Sequence, residues 1–184
     1  MRFIALFLVF LIVFSCAPNH QLELENGDLL FMESTSGNLS EAIDQVTQTE
    51  KATHFSHIAL VEKSGDSIWV LHAAPQNGSE RISLEKFKDY AKKDSSQIIV
   101  YRIKKSYNPD FTNAISVAKK MLGKPYNFSY ILSDTTFYCS DFVYNAFAKD
   151  SIFRMEPMTF KDPKTGQFHA TWVDFYQKQN LKIP

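Results

Sequence analysis

Hydrophobic residues occur along this chain in short blocks whose period switches repeatedly between that of a strand and that of a helix. Behind the turn-forming triplet Asn26-Gly27-Asp28, the run Leu29-Leu30-Phe31-Met32 reads as a buried strand. Residues 38–47 carry Leu39, Ile43 and Val46 at helical spacing. The stretches 55–62 and 67–73 are rich in β-branched and aromatic residues and are separated by Ser64-Gly65-Asp66, which predicts a hairpin whose second arm ends at Pro75. Ser83 is placed to cap a helix with the apolar stripe Leu84, Phe87, Tyr90 and Ala91, and 97–103 follows as a further strand. A longer helix begins near Pro109, shows Phe111, Ile115, Ala118 and Leu122 on one face, and stops at Gly123 behind Lys119 and Lys120. Residues 126–137 form an aromatic loop. Residues 138–149 then resume helical spacing with Cys139, Phe142, Val143 and Ala146 aligned, and the tail from Ser151 has weak periodicity.

The start of the chain follows a different logic. Arg2 precedes an unbroken apolar run from Phe3 to Phe14, too short to span a bilayer and followed by Ser15-Cys16. Val13-Phe14-Ser15-Cys16 resembles a lipoprotein-processing site, with Phe14 bulkier than usual; a short uncleaved anchor is the other reading. The expected organisation is a signal peptide at 1–15, a tether at 16–25 lipidated at Cys16, and one domain at 26–184. Such a protein would be anchored to a membrane of the bacterial cell envelope, facing the periplasm or the surface. The 184 residues, 45% of them hydrophobic and including 16 Phe and 8 Tyr, suffice for one substantial core. Twenty basic and twenty acidic residues leave no net charge and no electrostatic footprint for nucleic acid.

Cysteine usage narrows the chemistry. Only Cys16 and Cys139 occur, so lipidation of Cys16 leaves Cys139 without a disulfide partner in an oxidising compartment, where a lone thiol is either buried or used. Cys139 falls at the start of a predicted helix, whose free N–H groups and partial positive charge favour a thiolate; a small core residue is the alternative. His57 and His72 fall on the two arms of the hairpin. With a turn at 64–65 they face each other directly, and with a turn at 65–66 they are diagonal neighbours on one face, within about 8 Å at Cβ either way. Nucleophile, base and orienting group are thereby all represented, which suits acyl transfer. Spacing alone does not bring Cys139 to the hairpin. It also leaves open a binding protein that uses the same cleft, and a metal site made of Cys139, His57 and His72.

The segments His57-Ile58-Ala59-Leu60-Val61 and Val70-Leu71-His72-Ala73 resemble the base strand and third-residue strand of NlpC-type cysteine peptidases. Gly123-Lys124-Pro125-Tyr126 and Tyr138-Cys139-Ser140-Asp141-Phe142-Val143 resemble their Gly-x-Pro-Tyr segment and nucleophile helix, and Asn26-Gly27-Asp28-Leu29 their Gly-Asp-Leu strand. The cysteine segment comes last, so the resemblance is to the circularly permuted papain-like amidases of the YiiX and YaeF type. It implies an α+β fold in which an antiparallel sheet packs against helices and the nucleophile sits at a helix N-terminus. It also implies catalytic roles for Cys139, His57 and His72, and substrate- or oxyanion-facing roles for Tyr126, Tyr138 and Ser140. Asp141 stands where a glutamate is common in that branch. The implied reaction is cofactor-free, thiol-dependent hydrolysis of an amide, in cell-wall peptide or a related compound. Acyl transfer or ester hydrolysis on lipid-linked acyl groups is the alternative.

Overall fold

The computed structural model describes residues 23–35, 38–47, 54–156 and 159–183. The expected signal peptide and the lipidation site Cys16 lie outside the described residues, as does most of the tether. Five strands form one antiparallel sheet: β1 (Leu29–Glu33), β2 (Phe55–Ser64), β3 (Ser67–Ala74), β4 (Gly78–Ser83) and β5 (Ile98–Tyr101), in the order β4-β3-β2-β1-β5. The helices are α1 (Asn38–Thr47), α2 (Leu84–Lys93), α3 (Phe111–Lys120), α4 (Cys139–Ala146) and α5 (Ala170–Lys178).

Side chains alternate across the strands, so the sheet has two covered faces. Leu30, Met32, Ala59, Val61, Val70 and Ile82 pack with Phe87 and Ala91 of α2. Full burial of Phe87 contributes roughly 1.5–3 kcal/mol. The capping predicted for α2 is present, with Ser83 Oγ accepting the Lys86 N–H at 3.2 Å. On the other face, Leu29, Leu60, Leu71 and Ala73 pack with α3, α4 and α5, including Phe142, Val143 and Trp172. Trp172 Nε1 donates to the Ala42 carbonyl at 3.1 Å and fastens α5 to α1.

Two elements extend the reading from sequence. The chain turns back after Pro75 into β4, and the tail folds into α5. The turn at residues 75–77 leads into β4 through Gly78, which has φ +71 and where a Cβ would lie 2.2 Å from the Lys124 carbonyl oxygen. That carbonyl accepts the Ser79 N–H at 2.8 Å, while the Gly123 N–H donates to Ser79 O at 2.8 Å. The segment 123–125 is thus pinned to the sheet directly ahead of Tyr126.

The hairpin turn lies at Gly65-Asp66, with Ser64 paired to Ser67 and Leu60 to Leu71. The β2–β3 ladder ends at that last pair, although β2 continues to pair with β1 as far as Phe55 and β3 with β4 as far as Gly78. The two central strands therefore part at the point where His57 and His72 stand.

Candidate functional site

Where the strands diverge, backbone groups that would have joined the ladder are released. The Val61 N–H points to β1 and donates to Asp28 O at 2.8 Å. Alternation along the strand aims the Ile58 N–H the other way, into the gap left by β3. That N–H faces the Cys139 sulfur, together with the N–H groups of Cys139 itself and Ser140. Cys139 opens α4 behind Tyr138, whose extended backbone (φ −99, ψ 171) supplies no side-chain cap. The donors of the first helical turn are consequently left for whatever sits at the sulfur.

The imidazoles meet across the same gap. His57 and His72 are diagonal neighbours, as a turn at residues 65–66 requires, and His57 Nε2 lies 2.8 Å from His72 Nδ1. His72 is 1% exposed and His57 half-buried, with Phe87 packed against both rings. Burial and the adjacent His72 push His57 down to about 3, so its ring is neutral at physiological pH. Burial pushes the Cys139 thiol up, against the three N–H groups that favour its anion, and Asp141 adds to the upward push. Asp141, buried in the first turn of α4 and bonded to Asn145 Nδ2 at 2.6 Å, is itself pushed up to about 6 by burial.

A cleft of about 490 Å³ opens beside the pair, lined by His57, His72, Tyr126, Tyr130, Phe87 and Met32 among others. Cys139 is half-buried and does not line this cleft, and no hydrogen bond joins it to His57 in this resting arrangement of the described residues. It neighbours Tyr126 and Tyr130 of the cleft wall, and an ionised Cys139 would add to the upward push that burial gives both phenols. Among the predicted substrate-facing residues, Tyr126 lines the cleft. Tyr138 instead turns its ring onto Tyr130 at 5.4 Å, and its phenol is pushed up to about 12, chiefly by burial. Ser140 is exposed and faces the sulfur through its main-chain N–H.

Sequence reasoning missed Glu80. This residue sits opposite His72 in the β3–β4 register, and its Oε1 lies 3.3 Å from His72 Nε2. The contact is not aligned as a hydrogen bond, and among the described residues Nε2 of the buried ring has no other partner. The Asn77-Gly78 dipeptide was the available signal, because a turn there folds the following residues back onto His72. Among the described residues no group of three or more His, Cys, Asp or Glu side chains is placed to hold a metal ion. The two imidazoles turn their nitrogens towards each other.

Comparison with known proteins identifies the family and the fold. Residues 23–181 match the family described as permuted papain-like amidase enzyme, YaeF/YiiX, C92 family. The crystal structure of metalloprotein YiiX from Escherichia coli O157:H7 is similar in fold, with a TM-score of 0.55 and 23% identity over 71% of this chain and 68% of that one. Comparison with curated proteins gave no match. The chain therefore belongs to the permuted papain-like amidase family, a family of hydrolase type built on an α+β fold.

Proposed function

We propose that this protein is a cysteine amidase in which Cys139 is the nucleophile, His57 the general base and acid, and His72 the group that orients His57. The observation that carries the reading is the parting of β2 and β3. It places the Cys139 sulfur against the Ile58 N–H, one residue from His57, and ties His57 to a buried second imidazole. With Nε2 of His57 engaged by His72, its Nδ1 is left to accept the thiol proton.

The sulfur then attacks the amide carbonyl, and the resulting oxyanion is stabilised by the N–H groups at the start of α4. Collapse of the tetrahedral species breaks the C–N bond, with His57 returning the proton to the departing amine. Water, deprotonated by His57, cleaves the thioester, and the thiol and the acid are released. Tyr126, on the cleft wall beside Cys139, supports a role in binding the acyl portion. The substrate proposed is an amide of cell-wall peptide or a related envelope compound. The export-like sequence ending at Cys16 supports a lipid-anchored protein that works at a membrane surface.

Formation of the thioester tests the proposal. Incubation with an activated ester such as p-nitrophenyl acetate, followed by acid quench and peptide mass mapping, is expected to show acetyl on Cys139. Label confined to lysines, or a Cys139 peptide that stays unmodified while the ester turns over, would contradict it.

A further inference from the structure

A neutral imidazole has one donor nitrogen and one acceptor nitrogen, so fixing one end of a pair of hydrogen-bonded rings fixes the other. In the histidine pair of this protein, the end remote from Cys139 is His72 Nε2. That atom is buried out of reach of solvent and faces Glu80 Oε1 at 3.3 Å. The groups packed around His72 are His57 from β2, Glu80 from β4, and Phe87 and Tyr90 from α2. Glu80 is itself held in place: Asn77 Nδ2 donates to its two oxygens at 3.2 and 3.1 Å, Tyr90 OH lies 3.5 Å away and Lys86 Nζ 3.8 Å away. His72, Asn77 and Lys86 hold its carboxyl below the ordinary range against the opposing effect of burial, His72 contributing most.

We infer that Glu80 is a positioning residue that fixes the proton of His72 on Nε2 and thereby sets the tautomer of His57. The inference rests on the roles assigned above to Cys139 and His57. With the proton on Nε2, His72 sets an N–H beside the carboxylate 3.3 Å away, an attractive contact short of an aligned hydrogen bond; with the proton on Nδ1, it would set a lone pair against a negative charge in a buried site. The first arrangement makes His72 Nδ1 an acceptor. His57 must then present Nε2–H to it and keep the Nδ1 lone pair for the thiol. When His57 takes up the proton, its positive charge is opposed through His72 by the charge of Glu80. The relay thus has four members on four elements: Glu80 on β4, His72 on β3, His57 on β2 and Cys139 on α4.

The direct test is the histidine ¹⁵N spectrum of the domain, assigned by substitution. The wild-type protein is expected to show Nε2–H and an unprotonated Nδ1 for both His57 and His72, and Glu80→Leu is expected to give a mixture. Kinetics supply the second readout. Glu80→Leu is expected to lower kcat at least about tenfold with KM unchanged within about twofold, and Glu80→Asp to recover part of the loss. The loss stays short of the roughly 10⁴-fold seen when a carboxylate touching the base directly is neutralised, because here a second imidazole intervenes. A wild-type His72 protonated on Nδ1 would overturn the inference, and so would tautomers that do not change in folded Glu80→Leu. The wild-type spectrum decides even if the variant does not fold. A protein with no turnover but with the expected tautomers would sink the catalytic reading and leave the role of Glu80 standing.

Discussion

Replacing Cys139 by alanine is expected to lower kcat for amide hydrolysis by at least about 10⁴-fold while moving the thermal midpoint by no more than about 2 °C. The first number follows from the nucleophilic role proposed for the sulfur, because nucleophile removal in comparable relays costs about 10⁶-fold in kcat. The second follows from packing. Cys139 is half-buried at the first position of α4, and alanine retains the Cβ and favours the helix. His57→Ala is expected to cost nearly as much, and the double variant little more than either alone, because the two act as a unit. Turnover and a melting curve on the same samples check all three. A fold-retaining Cys139→Ala with more than a few per cent of wild-type activity would exclude thiol catalysis.

The largest effect on stability is expected at the far end of β1. Asp28 is fully buried and is gripped by Arg102, with Nε on Oδ1 at 2.7 Å and a terminal nitrogen on Oδ2 at 2.8 Å. The Glu25 N–H completes its shell at 2.8 Å, and Arg102 also reaches the Glu23 carbonyl. Arg102→Leu strands that carboxylate away from water with the main-chain N–H of Glu25 as its remaining hydrogen-bond partner. Breaking one side of a buried pair costs about 3–5 kcal/mol. Because Arg102 is itself partly exposed, the low end applies, or roughly 6–12 °C in a domain of this size. Asp28→Asn combined with Arg102→Leu is expected to be less destabilised than Arg102→Leu alone, since the unpaired charge is gone. Calorimetry of the two variants checks this, and equal or greater loss in the double variant would contradict it. This clamp is also where the Asn26-Gly27-Asp28-Leu29 segment acquires a physical role: its aspartate staples the start of β1 to the strand-to-helix connection after β5.

How far the fold was legible depended on whether an element carried its own signal. The hairpin, the Ser83 cap and the α3 stripe follow from local patterns, and parity along two strands was enough to place His57 and His72 on one face. The choice between direct and diagonal pairing was not local, because both two-residue turns at Ser64-Gly65-Asp66 satisfy the same glycine. β4 escaped notice because Ile82 is its one large buried apolar residue, so an edge strand packed on one side reads as polar loop, and Glu80 went with it. α5 escaped because Trp172 and Tyr176, one turn apart, are the whole of its fully buried stripe. The approach of Cys139 to the hairpin was beyond any local pattern. It is set by α4 packing Phe142 and Val143 against the sheet, and by the early end of the β2–β3 ladder, which frees the Ile58 N–H.

The resting site is neutral: burial holds the thiol up and holds His57 down. The imidazole stays available as a base until the pH falls towards about 3, so protonation of His57 does not limit activity in mildly acidic solution. Charge separation requires Cys139 and His57 to close on each other: at contact distance near a protein surface a thiolate and an imidazolium attract by about 4 kcal/mol, enough to raise the reactive form by about a thousandfold over the separate groups. The most direct test of the account is therefore the rate of Cys139 alkylation by iodoacetamide across pH, in wild type and in His57→Ala. A shoulder of reactivity between about pH 5 and 8 is expected, at least about tenfold higher in wild type, with His57→Ala rising only in the alkaline range where a buried thiol ionises alone. Superimposable profiles with a single alkaline rise would contradict it and return Cys139 to the status of a packing residue.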